Sequence, residues 1–243
     1  MSGGQALVVG ASSEIGAAIA GALVPFADRV VLWGRDEHRL RAAAVRCQQR
    51  ATGRPQESPL EVVTRVVDVT DREAMAAGLE ELRAAGPLRT VVWAAGAFDW
   101  APAQAADPAR WGTLADVNLA APMVFTAMVA KDLVAGAPAA LVYIGSRAGH
   151  ASFPNNAAYV STKHGLVALA RATYLDLRAH AVKVSVVSPG MVAAGATLGA
   201  PLTDEQRAQL LRPEDVAAAV TFVVGFPDHG CPTEIHLQPH LSG

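Results

Sequence analysis

Gln5-Ala6-Leu7-Val8-Val9-Gly10-Ala11-Ser12-Ser13-Glu14-Ile15-Gly16 is the stretch whose reading decides the fold. The apolar run from Gln5 to Val9, closed by Gly10, predicts a short strand, and the helical spacing of apolar residues from about Glu14 to Phe26 predicts the helix that follows. Strand, glycine turn, helix is therefore the opening unit. The same alternation repeats outward from it. Strands are predicted at Arg29 to Trp33, Leu60 to Val67, Thr90 to Ala95, Ala139 to Ile144, Lys183 to Val187 and Glu234 to Leu237, and the segments between them predict helices at Glu37 to Arg50, Arg72 to Ala85, about Pro108 to Val134, about Tyr159 to His180 and from Pro213. Parallel strands joined by crossover helices give an α/β fold. The irregular pieces are Ala51 to Pro59, Ala97 to Asp107 and Met191 to Arg212, and the last two follow strands directly, where ligands gather in an open α/β sheet.

The 243 residues contain no linker-like stretch, which favours one α/β domain. Half the residues are hydrophobic, mostly Ala, Val and Leu, a composition suited to strands covered on both faces. A net charge of −2 leaves no electrostatic footprint for nucleic acid or an anionic membrane, so neither is expected as a partner. The apolar runs around Val117 to Ala130 and Val216 to Phe226 are read as too short, or broken by Asn118 and Pro122, for a membrane span. Cys47 and Cys231 lie far apart and no secretion signal precedes the first apolar run, so reduced thiols and a cytoplasmic location are expected. His229, Cys231, His236 and His240 match no metal-ligand spacing, and no metal is expected.

The first turn has a chemical use. Backbone amides at a helix start point outward with the positive end of the dipole, so a pyrophosphate fits there if glycines let the backbone approach. After the second strand comes Gly34-Arg35-Asp36. An acid at this strand end would bind a ribose 2′-hydroxyl, whereas an arginine holds a 2′-phosphate. With Gly34 at the strand end and Arg35 beside it, the pattern leans to NADP(H), with Asp36 as a competing ligand.

Tyr159-Val160-Ser161-Thr162-Lys163 carries the second device. On a helix, residues four apart share a face, so the phenol and the ammonium point the same way. A free phenol titrates near ~10, and a fixed cation beside it favours the phenolate. Lysine is rare here: three lysines stand against 17 arginines. Lys163 offers a compact point charge that arginine would not, although Lys131 and Lys183 show that lysine also occurs elsewhere.

In these residues and their order the chain resembles the classical short-chain dehydrogenase/reductase family, over nearly its whole length from Ala6 to Pro239. The resemblance implies a single Rossmann-type domain over residues 1–243, a doubly wound parallel sheet flanked by helices, assembled as a homotetramer or homodimer. It implies hydride transfer between NAD(P)H and a carbonyl or alcohol. Gly10, Ser12, Ser13, Ile15 and Gly16 fall on the cofactor turn, Asp68 and Val69 on the pair that holds adenine, and Ala95 and Gly96 on the end of the fourth strand. Asn118 matches the asparagine supporting a proton relay, and Ser146 the serine that orients the substrate oxygen. Pro189 and Gly190 match the turn after the sixth strand, and Val192 the residue whose backbone meets the nicotinamide carboxamide. The chain departs from the family at Val9, Glu14, Trp93 and Ala194, where threonine, glycine, asparagine and threonine are usual.

The expected function is NADP(H)-dependent reduction of a small or medium carbonyl compound, or the reverse. Tyr159 protonates the oxygen, Ser146 steadies it, Lys163 lowers the phenol pKa and binds the nicotinamide ribose, and Asn118 passes the proton onward. Residues 191–212 form the substrate loop, and Arg147 and His150 are further candidates to line the site. The alternatives are a non-catalytic NADP(H)-binding sensor on the same fold, and an epimerase or dehydratase, which related chains build with a larger C-terminal region.

Overall fold

A computed structural model describes residues 3–52 and 59–240; the irregular stretch read at Ala51 to Pro59 lies mostly outside them. Seven strands, β1 (Gln5–Val9), β2 (Arg29–Gly34), β3 (Glu61–Val66), β4 (Leu88–Trp93), β5 (Ala139–Ile144), β6 (Val182–Pro189) and β7 (Glu234–Leu237), form one sheet in the order β3-β2-β1-β4-β5-β6-β7. Every pairing is parallel. The order reverses between β1 and β4, and this switch point opens a crevice at the strands' carboxyl ends.

Strand periodicity sorts the core into two layers. On β1, Ala6 and Val8 face one layer with Ile19, Leu40 and Val220, while Leu7 and Val9 face the other with Trp33, Met75 and Phe125. Helices α1 (Glu14–Leu23), α2 (Glu37–Arg50) and α8 (Pro213–Gly225) cover the first face. Helices α3 (Arg72–Ala85), α5 (Ala121–Ala135) and α6 (Ala157–Leu177) cover the second, with α4 (Pro108–Ala115) leading into α5. Two-sided burial explains why the strands read as continuous apolar runs.

The predicted helix from Pro108 to Val134 runs to Ala135, with one π turn at Asp116–Ala120 where α4 meets α5. Asn118 and Pro122 therefore do not break it, and by length and composition alone it is long enough to cross a membrane. Its apolar side is instead used in the core: Val117, Ala121, Phe125, Val129 and Leu133, spaced by four, pack on the sheet. The π turn absorbs Pro122, which has no N–H for the Asn118 carbonyl four residues back.

The stretch 191–212, read from sequence as a substrate loop, is more ordered than its composition predicts. It holds a 3₁₀ turn at Gly195–Gly199 and a short helix, α7 (Asp204–Ala208), started by a Thr203/Gln206 capping box. Its base is tied by a bridge between Val192 and Leu211. Lys183, the buried lysine of β6, donates to the carbonyls of Val224 and Phe226 and pairs with Asp228 at 3.1 Å, placing a cation at the end of α8. Cys47 and Cys231 are unpaired, and burial pushes the Cys47 thiol up to about 11.

Candidate active site

The first turn is built on two close approaches that exclude a side chain. Gly10 has φ +92°, and a Cβ there would sit 2.5 Å from the Ala95 amide nitrogen at the end of β4. A Cβ on Gly16 would meet the Gly10 carbonyl oxygen at 2.2 Å. Ser13 caps α1, accepting from the Gly16 amide at 3.0 Å and donating to the Gly10 carbonyl at 2.8 Å, a cap worth ~1 kcal/mol. Ser12 lies against Gly34, where an added Cβ would meet its Oγ at 2.6 Å. Ile15 packs on the core. The Glu14 carboxylate, a departure from the family pattern, turns toward Arg39 at 3.9 Å.

Beyond β2, Arg35 is three-quarters exposed and its Nη1 lies 4.0 Å from Asp68 Oδ2. Asp68 Oδ1 accepts from the Thr70 amide and hydroxyl, and those hydrogen bonds, aided by Arg35, hold its carboxyl below its ordinary value. Asp36 is spent as the cap of α2, accepting from the Arg39 amide at 3.0 Å. Its Oδ2 lies 3.6 Å from Arg39, so this carboxylate is engaged within its own helix while staying half exposed. Val69 is buried beside Asp68.

At the crevice's other wall, Tyr159 and Lys163 lie one turn apart at the start of α6. Lys163 is 5% exposed, and its Nζ sits 5.7 Å from the Tyr159 ring centroid while donating to the Ile144 carbonyl at 3.1 Å. Burial brings its pKa down from 10.5 to about 8. Burial also raises the Tyr159 phenol above its ordinary value, with a hydrogen bond involving Ser146 pulling the other way. The expected depression of the phenol by Lys163 is thus not what this arrangement gives: the ammonium is committed to a carbonyl, and desolvation of the ring dominates. Ser146 follows β5 and caps a 3₁₀ turn at Arg147–Gly149, accepting from the Ala148 amide at 3.1 Å.

Asn118, in the π turn, is buried and fully engaged. Its Oδ1 accepts from the Ala97 amide at 2.7 Å, and its Nδ2 donates to the Ala97 carbonyl at 2.9 Å and to Thr162 Oγ1 at 3.3 Å. This answers how the loop after β4 is held when the strand carries Trp93, whose buried Nε1 has no hydrogen-bond partner. The clamp comes from the helix instead of the strand. Gly96 completes the junction, a Cβ there lying 3.4 Å from Asn118 Oδ1 and 3.7 Å from Lys163 Nζ.

The predicted residues therefore form two connected groups: the Gly10 turn against Ala95, and Ser146, Tyr159, Lys163 and Asn118 around Gly96. Pro189, Gly190 and Val192 close the side nearest β7, with the Gly190 amide donating to the Leu237 carbonyl at 2.7 Å and Val192 buried over Leu211. Sequence reasoning missed Phe98 and Trp100. Phe98 meets the Tyr159 ring edge-on at 5.0 Å and stacks with Trp100 at 6.4 Å, and both remain exposed. Their signal was two aromatics in a loop directly after a strand. Arg147 is turned from the phenol's neighbours onto the Phe153 ring, 4.5 Å from its centroid.

The family profile described as short chain dehydrogenase matches residues 5–205. Sulfoacetaldehyde reductase 2 of Chromohalobacter salexigens is 30% identical, covering 96% of this chain and 93% of that protein. Glycine betaine reductase of Emericella nidulans is also 30% identical over 98% of this chain, which spans only 19% of that much longer protein. A metagenomic short-chain oxidoreductase crystallised with NADP superposes with a TM-score of 0.81 at 32% identity, over 99% of both chains. Glycine turn, strand order and the Ser146-Tyr159-Lys163 group thus fall together with a match over most of the length, and the chain belongs to the short chain dehydrogenase family of oxidoreductases.

Proposed function

We propose that this chain is an NADP(H)-dependent reductase of a small or medium carbonyl compound. The observation that carries the reading is the meeting of Tyr159, Ser146 and Lys163 at the carboxyl end of β5, joined through Gly96 and Ala95 to the Gly10 turn. The glycine cradle fits a dinucleotide, because the space a Cβ would take at Gly10 and Gly16 is already filled by backbone. Arg35, exposed and following Gly34 where an acid would close β2, supports the phosphorylated form. The NADP in the metagenomic relative supports the same choice.

When bound, the cofactor supplies the hydride. The chain's own work is to place and protonate the oxygen. Ser146 donates to the substrate oxygen, and Tyr159 delivers the proton. A phenol whose pKa stands above its ordinary value is protonated at neutral pH, the form an acid needs in the reducing direction. Lys163 lies within reach of the ring and, once the Ile144 bond is exchanged, of a ribose hydroxyl. Asn118 holds Ala97 and hence Gly96 in place, and its main-chain carbonyl, to which Pro122 offers no N–H, would accept from a water that relays the proton onward. Phe98 and Trp100 beside the phenol support a substrate with an apolar or aromatic group next to its carbonyl. Assembly as a homodimer or homotetramer belongs to this reading, supported by exposed Met123, Leu175 and Phe222 on α5, α6 and α8.

The test is a thermal-shift comparison of NADPH with NADH, followed by a panel of aliphatic and aryl ketones and aldehydes. NADPH protects at lower concentration and is consumed with at least one carbonyl. Protection by NADH at about tenfold lower concentration overturns the role of Arg35. Binding with no turnover across the panel overturns the reductase in favour of a dinucleotide sensor.

A further inference from the structure

Three side chains of ligand type converge where the catalytic turn meets the last strand. Glu234 and His236 lie two apart on β7 and so share a face of the sheet. His150 follows the Arg147–Gly149 turn and comes over that face. His150 Nδ1 is 3.9 Å and His236 Nε2 3.8 Å from Glu234 Oε2, and the three ligand atoms lie within 4.8 Å of one another. These distances exceed a hydrogen bond of ~3.2 Å, so the three groups point at a common centre without bonding to each other. Zinc bonds of ~2.0–2.1 Å place tetrahedral ligands ~3.3 Å apart, so each imidazole nitrogen has about 0.5 Å to close on the carboxylate, and the widest pair, up to 4.8 Å apart, about 1.5 Å, within reach of side-chain rotation.

The surroundings are those of a second shell. Ser188, the register partner of His236 on β6, bonds His150 Nε2 at 2.9 Å. That bond occupies the outer nitrogen and leaves Nδ1 to face the centre. Arg171 binds both carboxylate oxygens, Nε to Oε1 at 2.6 Å and Nη2 to Oε2 at 3.1 Å, which keeps Glu234 ionised and oriented and leaves one lone pair of Oε2 toward the imidazoles. The imidazoles touch, with ring centroids 4.3 Å apart. His236 is about half exposed, which leaves an open position for water or another small ligand.

We propose that His150 Nδ1, Glu234 Oε2 and His236 Nε2 form a zinc site that ties the Ser146-to-His150 turn to the edge of the sheet. Two imidazoles and a carboxylate with one open position are a donor set zinc accepts. The site was invisible in the sequence because His150 is far from β7 in the chain, and the histidines and cysteine clustered near the C-terminus drew attention instead.

The test uses the full chain, stripped with a chelator and titrated with Zn²⁺ against a chromophoric indicator, and with Co²⁺ for its visible bands. Expected are one equivalent bound per chain, a higher melting temperature with zinc, and cobalt bands of a low-coordinate site. His236→Ala, at an exposed position, should weaken binding by at least about 100-fold, and His150→Ala likewise. His38→Ala, exposed on α2 on the sheet's other side, should not. Absence of saturable binding, affinity unchanged in His236→Ala, or an equal loss in His38→Ala each overturns the proposal; should His150→Ala fail to fold, His236→Ala decides alone.

Discussion

Asn118 grips both main-chain atoms of Ala97, accepting from its amide at 2.7 Å and donating to its carbonyl at 2.9 Å. The pair fixes the first residue beyond Gly96, and with it the seam between the two halves of the site. Asn118→Ala leaves two part-buried backbone groups of Ala97 short of partners, at up to about 1–3 kcal/mol each. Urea unfolding should show a loss of about 2–4 kcal/mol, and turnover should fall with it. Asn118→Asp keeps the acceptor but not the donor and should fall between the two.

Tyr159→Phe removes the proton donor and keeps the ring that Phe98 meets. Turnover should drop by about 10²–10⁴-fold, while the thermal shift on cofactor binding is retained. In the parent, reduction should hold steady through neutral pH and decline only above the ordinary phenol range, because the phenol's pKa is raised by burial. Oxidation of the alcohol should show the opposite slope. Equal turnover in Tyr159→Phe would end the proposed mechanism.

Lys163 carries a cost that depends on pH. Its pKa falls from 10.5 to about 8 on folding, so the folded chain sheds this proton before the unfolded chain does. The cost is fully present below about pH 8 and is relieved as pH rises toward 10.5, a span worth on the order of 3 kcal/mol. Lys163→Met should therefore be inactive yet more stable than the parent at neutral pH, less whatever the lost Ile144 bond contributed. Denaturation at a series of pH values should show that advantage shrinking between about pH 8 and 10. Above that, the raised Tyr159 pKa acts in the opposite direction.

Arg35→Ala should raise the KM for NADPH by about 10–100-fold and leave that for NADH nearly unchanged, since a charge-assisted hydrogen bond to a phosphate contributes about 1.5–3 kcal/mol. Steady-state kinetics with both cofactors measures the split.

Gly10→Ala places a methyl group 2.5 Å from the Ala95 nitrogen at φ +92°. A loss of at least about 2 kcal/mol is expected, together with weaker cofactor binding, because β1 and β4 must part to admit it. Thermal melts with and without NADPH separate the two effects.

The parallel fold was legible because both faces of the strands are covered, so each read as an unbroken apolar run, and the Gly10 turn stood out at the first junction. Tyr159 and Lys163 stood out through their spacing on one helix, whereas Ser146 was marked only by the family resemblance. What periodicity could not supply was how side chains are already spent. Asp36 looks like a free acid in sequence but is a helix cap. Asn118 looks like a relay and is also a clamp. The ammonium of Lys163 looks committed to Tyr159 and donates to Ile144. Each depends on a partner's carbonyl or amide, which leaves no mark in side-chain pattern. The continuity of the Pro108-to-Ala135 helix was hidden for a similar reason, since a π turn has no composition of its own.

The bridge between Val192 and Leu211 has a further consequence. It brings the two ends of the intervening segment side by side, while Arg207 fastens the interior to the carbonyls of Leu198 and Ala200. Residues 193–210 are thus an insert with its own internal stitching, hung from two adjacent pegs. Such a piece can vary in length and sequence at its exposed turns at little cost to the strands beneath, the exceptions being Ala194 and Leu210, which are buried at its two ends.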